Sequence, residues 1–342
     1  MKILIVSDAW QPQVNGVVRT LAMTQAELAQ LGHQVEIVGP GRFRTVPLPS
    51  YPEIRVAIDA EWRIRRLLRD AAPDALHIAT EGPLGLAARN HCVRRGIGFT
   101  TAYHTRFPEY LRDRAPVPVA LTYRLLRWFH GPAKAVMVAT PSIEADLVAR
   151  GFRNVRRWSR GVDTVQFRPR PELAAGAFPD LPRPISLYVG RVAVEKNIEA
   201  FLSLDLPGSK LVVGGGPALA ALRAKYPWVR FTGPLQGEDL ARAYAGADVF
   251  VFPSRTDTFG LVLLEAMASG LPVAAFPVPG PLDVVSNSGA GVLAEDLGAA
   301  VLAALAIPRG RARAHALRFS WRAAAQQFLD NLQPLPPEAL AA

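Results

Sequence analysis

At 342 residues the chain is long enough for two domains that each bury a core, which excludes a small scaffold dependent on disulfide or metal staples. Half of the residues are hydrophobic and a fifth are charged, a balance that excludes a disordered chain. The formal +10 is unevenly spread: residues 1–170 hold 25 Lys and Arg against 14 Asp and Glu, and residues 171–342 hold 14 against 15, so the first half is +11 and the second −1. Such an asymmetry points the first half at something anionic, with nucleic acid, a membrane surface and an anionic substrate all open.

In chain order, KILIVSD reads as a strand, residues 17–31 as a helix, and Gly32-His33 as the turn into a second strand, QVEIVGP. The strand candidates ALHIAT, GFTTAYH and AVMVATPS follow, with helical stretches between them. Strict alternation of strand and helix implies a parallel sheet covered on both faces. Residues 168–184 carry five prolines and no periodicity, which predicts a linker. Alternation then resumes with ISLYVGR, KLVVGGG, VRFTGP, DVFVFPS and LPVAAFP, and a last helix capped by Ser320 places Trp321, Ala325, Phe328 and Leu332 at helical spacing. The expected fold is therefore α/β, two doubly wound Rossmann-like domains with a cleft between them: 1–168, a linker at 169–184, 185–318, and a C-terminal helix and tail at 319–342.

Cys92 is the only cysteine, so an intrachain disulfide and a cysteine metal cluster are excluded and a reducing compartment fits. The first apolar run, Ile3 to Val6, is too short for a signal peptide core, and the uncharged stretch from Ala266 to Leu282 is broken by six Gly and Pro residues. The expectation is a cytoplasmic protein whose membrane contact, if any, is peripheral.

Ligands of open parallel sheets sit beyond the carboxyl ends of the strands, so chemistry is sought in the loops there. Arg191 and Lys196 share the loop after ISLYVG, where two cations and a helix start can converge on a diphosphate; a pair of ordinary surface cations reads the same way. Asp257 precedes a helix that contains Glu265, and carboxylates there can accept hydrogen bonds from sugar hydroxyls, or simply cap the helix and face solvent. Gly214-Gly215-Gly216-Pro217 fits a tight turn and lacks the spacing of a dinucleotide fingerprint. Asn15-Gly16 offers a small-residue approach to phosphate. His104 ends a strand candidate with Arg106 close by, and His77 and Glu81, at the end of another, can line the same cleft.

Taken together, GHQV (32–35), AYHTRFPEYL (102–111), ATPS (139–142), RGVDTVQFRP (160–169), YVGRVAVEKN (188–197), GGGP (214–217) and TDTFGLVLLEAMASGLPV (256–273) resemble the retaining GT-B glycosyltransferases of glycosyltransferase family 4. The HIATEGPLG and HTRFPEYL segments are most similar to its branch of sulfoquinovosyl-, glucosyl- and glucuronosyl-diacylglycerol synthases and GDP-mannose-dependent lipid mannosyltransferases. The resemblance implies transfer of a hexose or hexuronate from UDP-glucose, UDP-glucuronate or GDP-mannose to a lipid such as diacylglycerol, with retention and without a metal or other cofactor. It implies that Arg191 and Lys196 bind the donor diphosphate, that Glu265 holds ribose hydroxyls, and that Asp257, Thr258 and Phe259 meet the transferred sugar beside Gly260, Leu261 and Gly216. His104 would lie beside the anomeric centre, with Gly16 approaching the diphosphate and Asn15, Glu81 and Arg106 on the acceptor side. It also implies that the C-terminal helix packs on the first domain. Two positions depart from the family pattern: the first acid of its Glu-x7-Glu motif is Asp257, and its first-loop double glycine is Asn15-Gly16.

The positive excess has candidate positions too. Residues 55–69 mix Trp62 with Arg65 and Arg66, and residues 121–134 mix Trp128 with Arg124 and Arg127. Aromatics interleaved with cations suit interfacial helices on anionic lipid, and equally suit amphipathic helices with solvated arginines. With the family resemblance, the reading is a peripheral protein on the inner face of the plasma membrane. A soluble or polysaccharide acceptor is the alternative; a nucleic-acid-binding module lacks zinc-finger spacing and RNA-recognition aromatics.

Overall fold

The computed structural model of the chain describes residues 1–13, 15–48, 51–112, 117–171 and 177–336, with backbone alone at 51–53 and 110. It divides into two compact units, the first made of residues 1–160 and 321–342 and the second of residues 161–320.

The first unit runs β1 Lys2–Val6, α1 Gly16–Gln30, β2 Gln34–Val38, β3 Thr45–Leu48, β4 Tyr51–Ala57, α2 Ala60–Ala71, β5 Ala75–Ile78, α3 Pro83–Arg95, β6 Thr100–Tyr103, α4 Phe107–Arg112, α5 Val119–His130, β7 Val136–Val138, α6 Pro141–Ala149 and β8 Val155–Arg157. Six strands form a parallel sheet in the order β2-β1-β5-β6-β7-β8. Its central strands read as unbroken apolar runs because both faces are covered. On β1, Leu4 and Val6 pack with α2 and α3, whereas Ile3 and Ile5 face Leu21 and Leu28 of α1 and Phe328 of the C-terminal helix, Trp321–Asn331. That is the twofold alternation of a strand dividing one core into two layers.

The C-terminal helix is tied into this unit at several points. Asn331 donates to the Arg157 carbonyl at 2.8 Å, Gln327 accepts from the Ser159 amide at 2.8 Å, and the following segment bridges Pro334 to Ala75.

Two expectations change here. Residues 55–69 are not one helix: Arg55 lies in β4, which pairs antiparallel with β3 as a separate hairpin, and α2 begins only at Ala60. The β-branched Ile54 and Val56 favour the strand, and Asp59, accepting from the Arg44 amide at 2.9 Å, holds the corner between the two elements. The chain also enters the second unit at Gly161, ahead of the proline-rich stretch. Residues 161–170 are held there by Val162 donating to the Phe319 carbonyl, by Arg313 donating to the carbonyls of Phe167 and Thr164, and by Phe167 set edge-on to Tyr244. Of the expected linker, residues 172–176 lie outside the described residues.

The second unit runs β9 Ile185–Val189, α7 Glu199–Leu202, β10 Ser209–Val213, α8 Leu219–Lys225, β11 Arg230–Gly233, α9 Gly237–Gly246, β12 Val249–Phe252, α10 Leu261–Ala268, β13 Val273–Ala275, α11 Pro281–Val284, β14 Gly291–Leu293, α12 Leu297–Ala304 and α13 Arg309–Ala316. Its strands are parallel in the order β11-β10-β9-β12-β13-β14. Both units are thus doubly wound α/β sheets. Sequence order reverses between β9 and β12 in one and between β1 and β5 in the other. At such switch points adjacent loops leave toward opposite faces and open a crevice.

Candidate active site

In the second unit the reversal falls where the sequence places its cations. Arg191 follows β9 after Gly190, and its carbonyl accepts the Tyr188 hydroxyl at 2.8 Å. Lys196 closes a short 3-10 turn at Val194–Lys196, which ends on Asn197 in the left-handed region, φ 51°. The Asn197 amide donates to the Pro253 carbonyl at 3.1 Å and so joins the loop after β9 to the loop after β12. Lys196 Nζ then meets Asp257 Oδ1 at 2.6 Å across that junction. Burial would raise the Asp257 carboxyl, but the Lys196 ammonium overrules it and holds the group below the ordinary carboxylate range. Asp257 Oδ2 is buried outside good hydrogen-bond geometry, with the Ser254 hydroxyl as a neighbour that also favours the carboxylate.

The glycine run after β10 is explained by close approach. A Cβ on Gly214 would stand 1.8 Å from the Gly190 carbonyl oxygen and one on Gly216 2.3 Å from that of Val192, while Val192 donates to the Gly215 carbonyl at 2.9 Å. Gly214 to Gly216 therefore let the loop after β10 lie against the loop that bears Arg191. Gly280, φ 91°, similarly passes beneath the carbonyls of Asp257 and Phe259.

The segment into α10 departs from its simplest reading. Phe259 is buried against Phe319, so this loop presents Asp257, Thr258 and backbone around Gly260, φ 82°, and Leu261, and not an aromatic face. Glu265 is no solvated helix residue: it is 3 % exposed, and its Oε2 accepts the Tyr244 hydroxyl at 3.0 Å. Asp257 and Glu265 thus sit at different depths, one at the sheet's end and one inside the wall behind it.

In the first unit His104 follows β6. Its Nδ1 lies 3.2 Å from Arg160 Nη2, and its ring is edge-on to Trp158 at 5.6 Å. Burial, then Arg160, then His77 push His104 well below the ordinary histidine range. His77 itself is core and lines no surface: it is fully buried between Trp158 and Phe328, bonded to Thr100, and pushed down to about 3 chiefly by burial. Glu81, in the loop after β5, accepts from His130 Nε2 at 3.2 Å, while the other ring nitrogen meets Thr101 Oγ1 at 2.9 Å.

Three other residues are committed locally. Asn15 caps α1, its Oδ1 accepting the amides of Val17 and Val18 at 3.0 Å, and Gly16 opens that helix exposed. Arg106 is turned into a network with Glu109 at 3.1 Å and Asp146 at 4.0 Å, which Tyr123 joins. Asp8, which the strand pattern did not single out, lies two residues past β1 and accepts the Leu84 and Gly85 amides at the start of α3 and the Thr80 hydroxyl. Burial raises its pKa against those bonds. Its only sequence signal is an acid two residues after a buried strand. Among the described residues no group of three or more His, Cys, Asp or Glu could hold a metal ion.

The cationic helices are α2 and α5. Trp62 is 73 % exposed, but Arg65 and Arg66 stand near Glu61 and Asp70 of the same helix, at 3.6 and 3.4 Å. On α5 the apolar Leu121, Leu125 and Trp128 are 56 %, 57 % and 50 % exposed and fall on one stripe, with Arg124 exposed among them. Arg89 of α3 lies over the Trp128 ring at 3.8 Å, and Arg127 donates to the Arg150 carbonyl at 2.9 Å. Among the described residues no helix is long and apolar enough to cross a membrane.

Two family patterns match the chain: Glycosyltransferase Family 4 over residues 14–166 and Glycosyl transferases group 1 over residues 183–307. It is 30 % identical over 315 residues to a GDP-mannose-dependent alpha-mannosyltransferase of Mycobacterium tuberculosis, covering 86 % of this chain and 83 % of that one. To the sulfoquinovosyl transferase SQD2 of Arabidopsis thaliana it is 34 % identical over 72 % of this chain, spanning about half (51 %) of that protein. To the alpha-monoglucosyldiacylglycerol synthase of Streptococcus pneumoniae it is 27 % identical over 89 % of this chain and 78 % of that one. Among solved structures it shares the fold of a sucrose-phosphate synthase from Thermosynechococcus elongatus, with a TM-score of 0.75 at 23 % identity over 96 % and 97 % of the two chains.

Proposed function

Because the chain belongs to the family 4 (group 1) glycosyltransferases, with the GT-B fold, we propose that it transfers a hexose or hexuronate from a nucleotide sugar to a lipid hydroxyl, in the manner of diacylglycerol glycosyltransferases. The carrying observation is the Lys196–Asp257 pair at the switch point of the second unit, with Arg191 on the same loop. Transfer breaks the bond between the anomeric carbon and the diphosphate, and negative charge develops on the departing oxygen. Arg191 and Lys196 are fixed cations that meet this charge, a task a metal performs elsewhere. Lys196 is pre-oriented by Asp257, and Asp257 keeps its second oxygen for a sugar hydroxyl. Retention follows if the acceptor hydroxyl enters on the face the diphosphate leaves.

The lipid acceptor is supported by the names of the Streptococcus and Arabidopsis relatives and by the exposed Leu121, Leu125 and Trp128 stripe with Arg124, which suits an anionic membrane surface. A panel of labelled UDP-glucose, UDP-glucuronate and GDP-mannose, each with and without vesicles containing diacylglycerol, tests the reading. Formation of an α-linked glycolipid unaffected by a chelator is expected. Transfer to soluble acceptors only, or inversion at the anomeric carbon, overturns it.

A further inference from the structure

Arg160 is the last residue of the first unit before the chain crosses to the second, and it is 4 % exposed. Among the described residues no carboxylate pairs with it; instead Nη1 donates to the carbonyls of Trp158 at 2.6 Å and Ser159 at 2.9 Å, and the guanidinium carbon lies 4.3 Å from the centre of the Trp158 ring. Those contacts fix the plane of the group. Its Nη2 is then held 3.2 Å from His104 Nδ1.

A guanidinium has donors and no acceptor, so this bond has a single sense: Arg160 donates and Nδ1 accepts with its lone pair. The lone pair being used, the ring proton of the neutral histidine must sit on Nε2. From this geometry we infer that Arg160 is the positioning residue for His104, locking it as the Nε2–H tautomer, so that the part the ring plays in transfer is that of a hydrogen-bond donor and never of a proton acceptor. The inference rests on the functional reading above for its role in transfer, but not for the tautomer.

The ring is further confined by Trp158, itself held by Phe328 of the C-terminal helix at 4.8 Å. The titratable groups that bear on His104 are Arg160, from the segment after β8, and His77, from β5, and both disfavour a second ring proton. Burial lowers Arg160 itself to about 9, which still leaves it charged at neutral pH.

The test is a long-range ¹H–¹⁵N spectrum of the full chain labelled on its histidine rings, with the His104 signals assigned by their loss in His104→Gln. An Nε2–H, Nδ1-unprotonated pattern that persists from about pH 8 to about pH 5.5 is expected. An Nδ1–H pattern, or a ring that protonates within that window, overturns the inference, and this arm needs neither a variant of Arg160 nor activity. Arg160→Met is expected to mix the tautomers, and Arg160→Lys to restore part of the Nε2–H population; if Arg160→Met keeps the wild-type pattern, Arg160 is not what sets it.

The kinetic arm uses the amide of glutamine, which can place an N–H where Nε2 stands. His104→Gln should keep turnover within about tenfold of wild type, and His104→Ala should lose about 10²–10³-fold, the usual effect of deleting one such donor. Equal losses in the two variants overturn the donor role. Absence of sugar transfer in the wild type itself counts against the functional reading and leaves the spectroscopic result standing.

Discussion

The two units are both doubly wound parallel sheets and differ in where they keep their charge. Divided at their structural boundary, the first carries 24 Lys and Arg against 15 Asp and Glu, +9, and the second carries 15 against 14, +1. Yet it is the nearly neutral unit that holds an ion pair at its switch point, Lys196 with Asp257. At the carboxyl ends of the basic unit's strands stand His104, kept neutral, and Glu81 bonded to His130, while Arg63, Arg65, Arg66 and Arg69 are exposed on α2. Net charge and working charge are therefore separate properties. A few cations fixed by carboxylates and backbone can serve a diphosphate, whereas a diffuse excess serves an extended anionic surface.

The largest expected break in this comparison is at the ion pair. Removing Lys196 or Arg191 as alanine should lower kcat about 10²–10³-fold for each, measured as steady-state glycolipid formation, because each would remove one fixed stabiliser of the leaving group. Loss confined to KM would assign them to uniform binding instead.

Next in size is the helix that returns to the first unit. Phe328 is fully buried against Trp158 and His77, so Phe328→Ala should cost about 3–5 kcal/mol in denaturant unfolding and lower both activity and the midpoint. An effect below about 1 kcal/mol would mean that the helix is a passenger.

A smaller effect distinguishes the units by pH. His77 is neutral in the folded protein with its pKa depressed to about 3, while an unfolded histidine takes its proton near 6.5, so the unfolded state binds more protons between those values. Stability from this residue is therefore full above about pH 6.5 and falls as pH drops through that window, by up to about 1.4 kcal/mol per pH unit. His77→Leu should flatten that slope in urea titrations at pH 7, 6 and 5. Asp257 has the depressed carboxylate pattern: its contribution is present above the ordinary carboxylate pKa and is lost only as pH falls through its lowered folded value. Asp257→Asn should leave stability at pH 5 to 7 with the wild-type slope and change only the more acid limb. A common slope for all three proteins would erase the contrast.

The smallest single-site effect is expected at the surface. Reversing Arg124 to Glu should weaken sedimentation with anionic vesicles several-fold at low salt and little at high salt.

Much of the fold was legible because parallel strands buried on both faces leave apolar runs: Ile3 to Val6, Ile185 to Val189 and Val249 to Phe252 all read as strands and are strands. The β3–β4 hairpin was not, since Arg55 and the prolines around it mask a short antiparallel pair within a basic stretch. The boundary at Gly161 was hidden for another reason. Prolines mark irregular backbone, but what decides membership is the packing of Val162 and Phe167, whose partners Phe319 and Tyr244 lie far along the chain. That Arg191, Lys196 and Asp257 lie in loops just after strands was legible, because the apolar runs mark where each strand stops; that their two loops meet at the switch point, with Lys196 on Asp257, was not, because strand order is absent from the pattern. The depth of Glu265, the core position of His77 and the grip of Arg160 on His104 were not, because each depends on a partner distant in sequence.

The central claim is that diphosphate recognition belongs to the second unit's ion-pair loops and membrane recognition to the first unit's cationic helices. It is tested most directly by titrating nucleoside diphosphate calorimetrically, and anionic vesicles by sedimentation, into the wild type, Arg191→Ala/Lys196→Ala and Arg65→Glu/Arg66→Glu/Arg124→Glu. The account predicts that the first variant loses at least about tenfold in nucleotide affinity with vesicle binding intact, and that the second shows the reverse. Loss of both activities in either variant, or of neither, would contradict it.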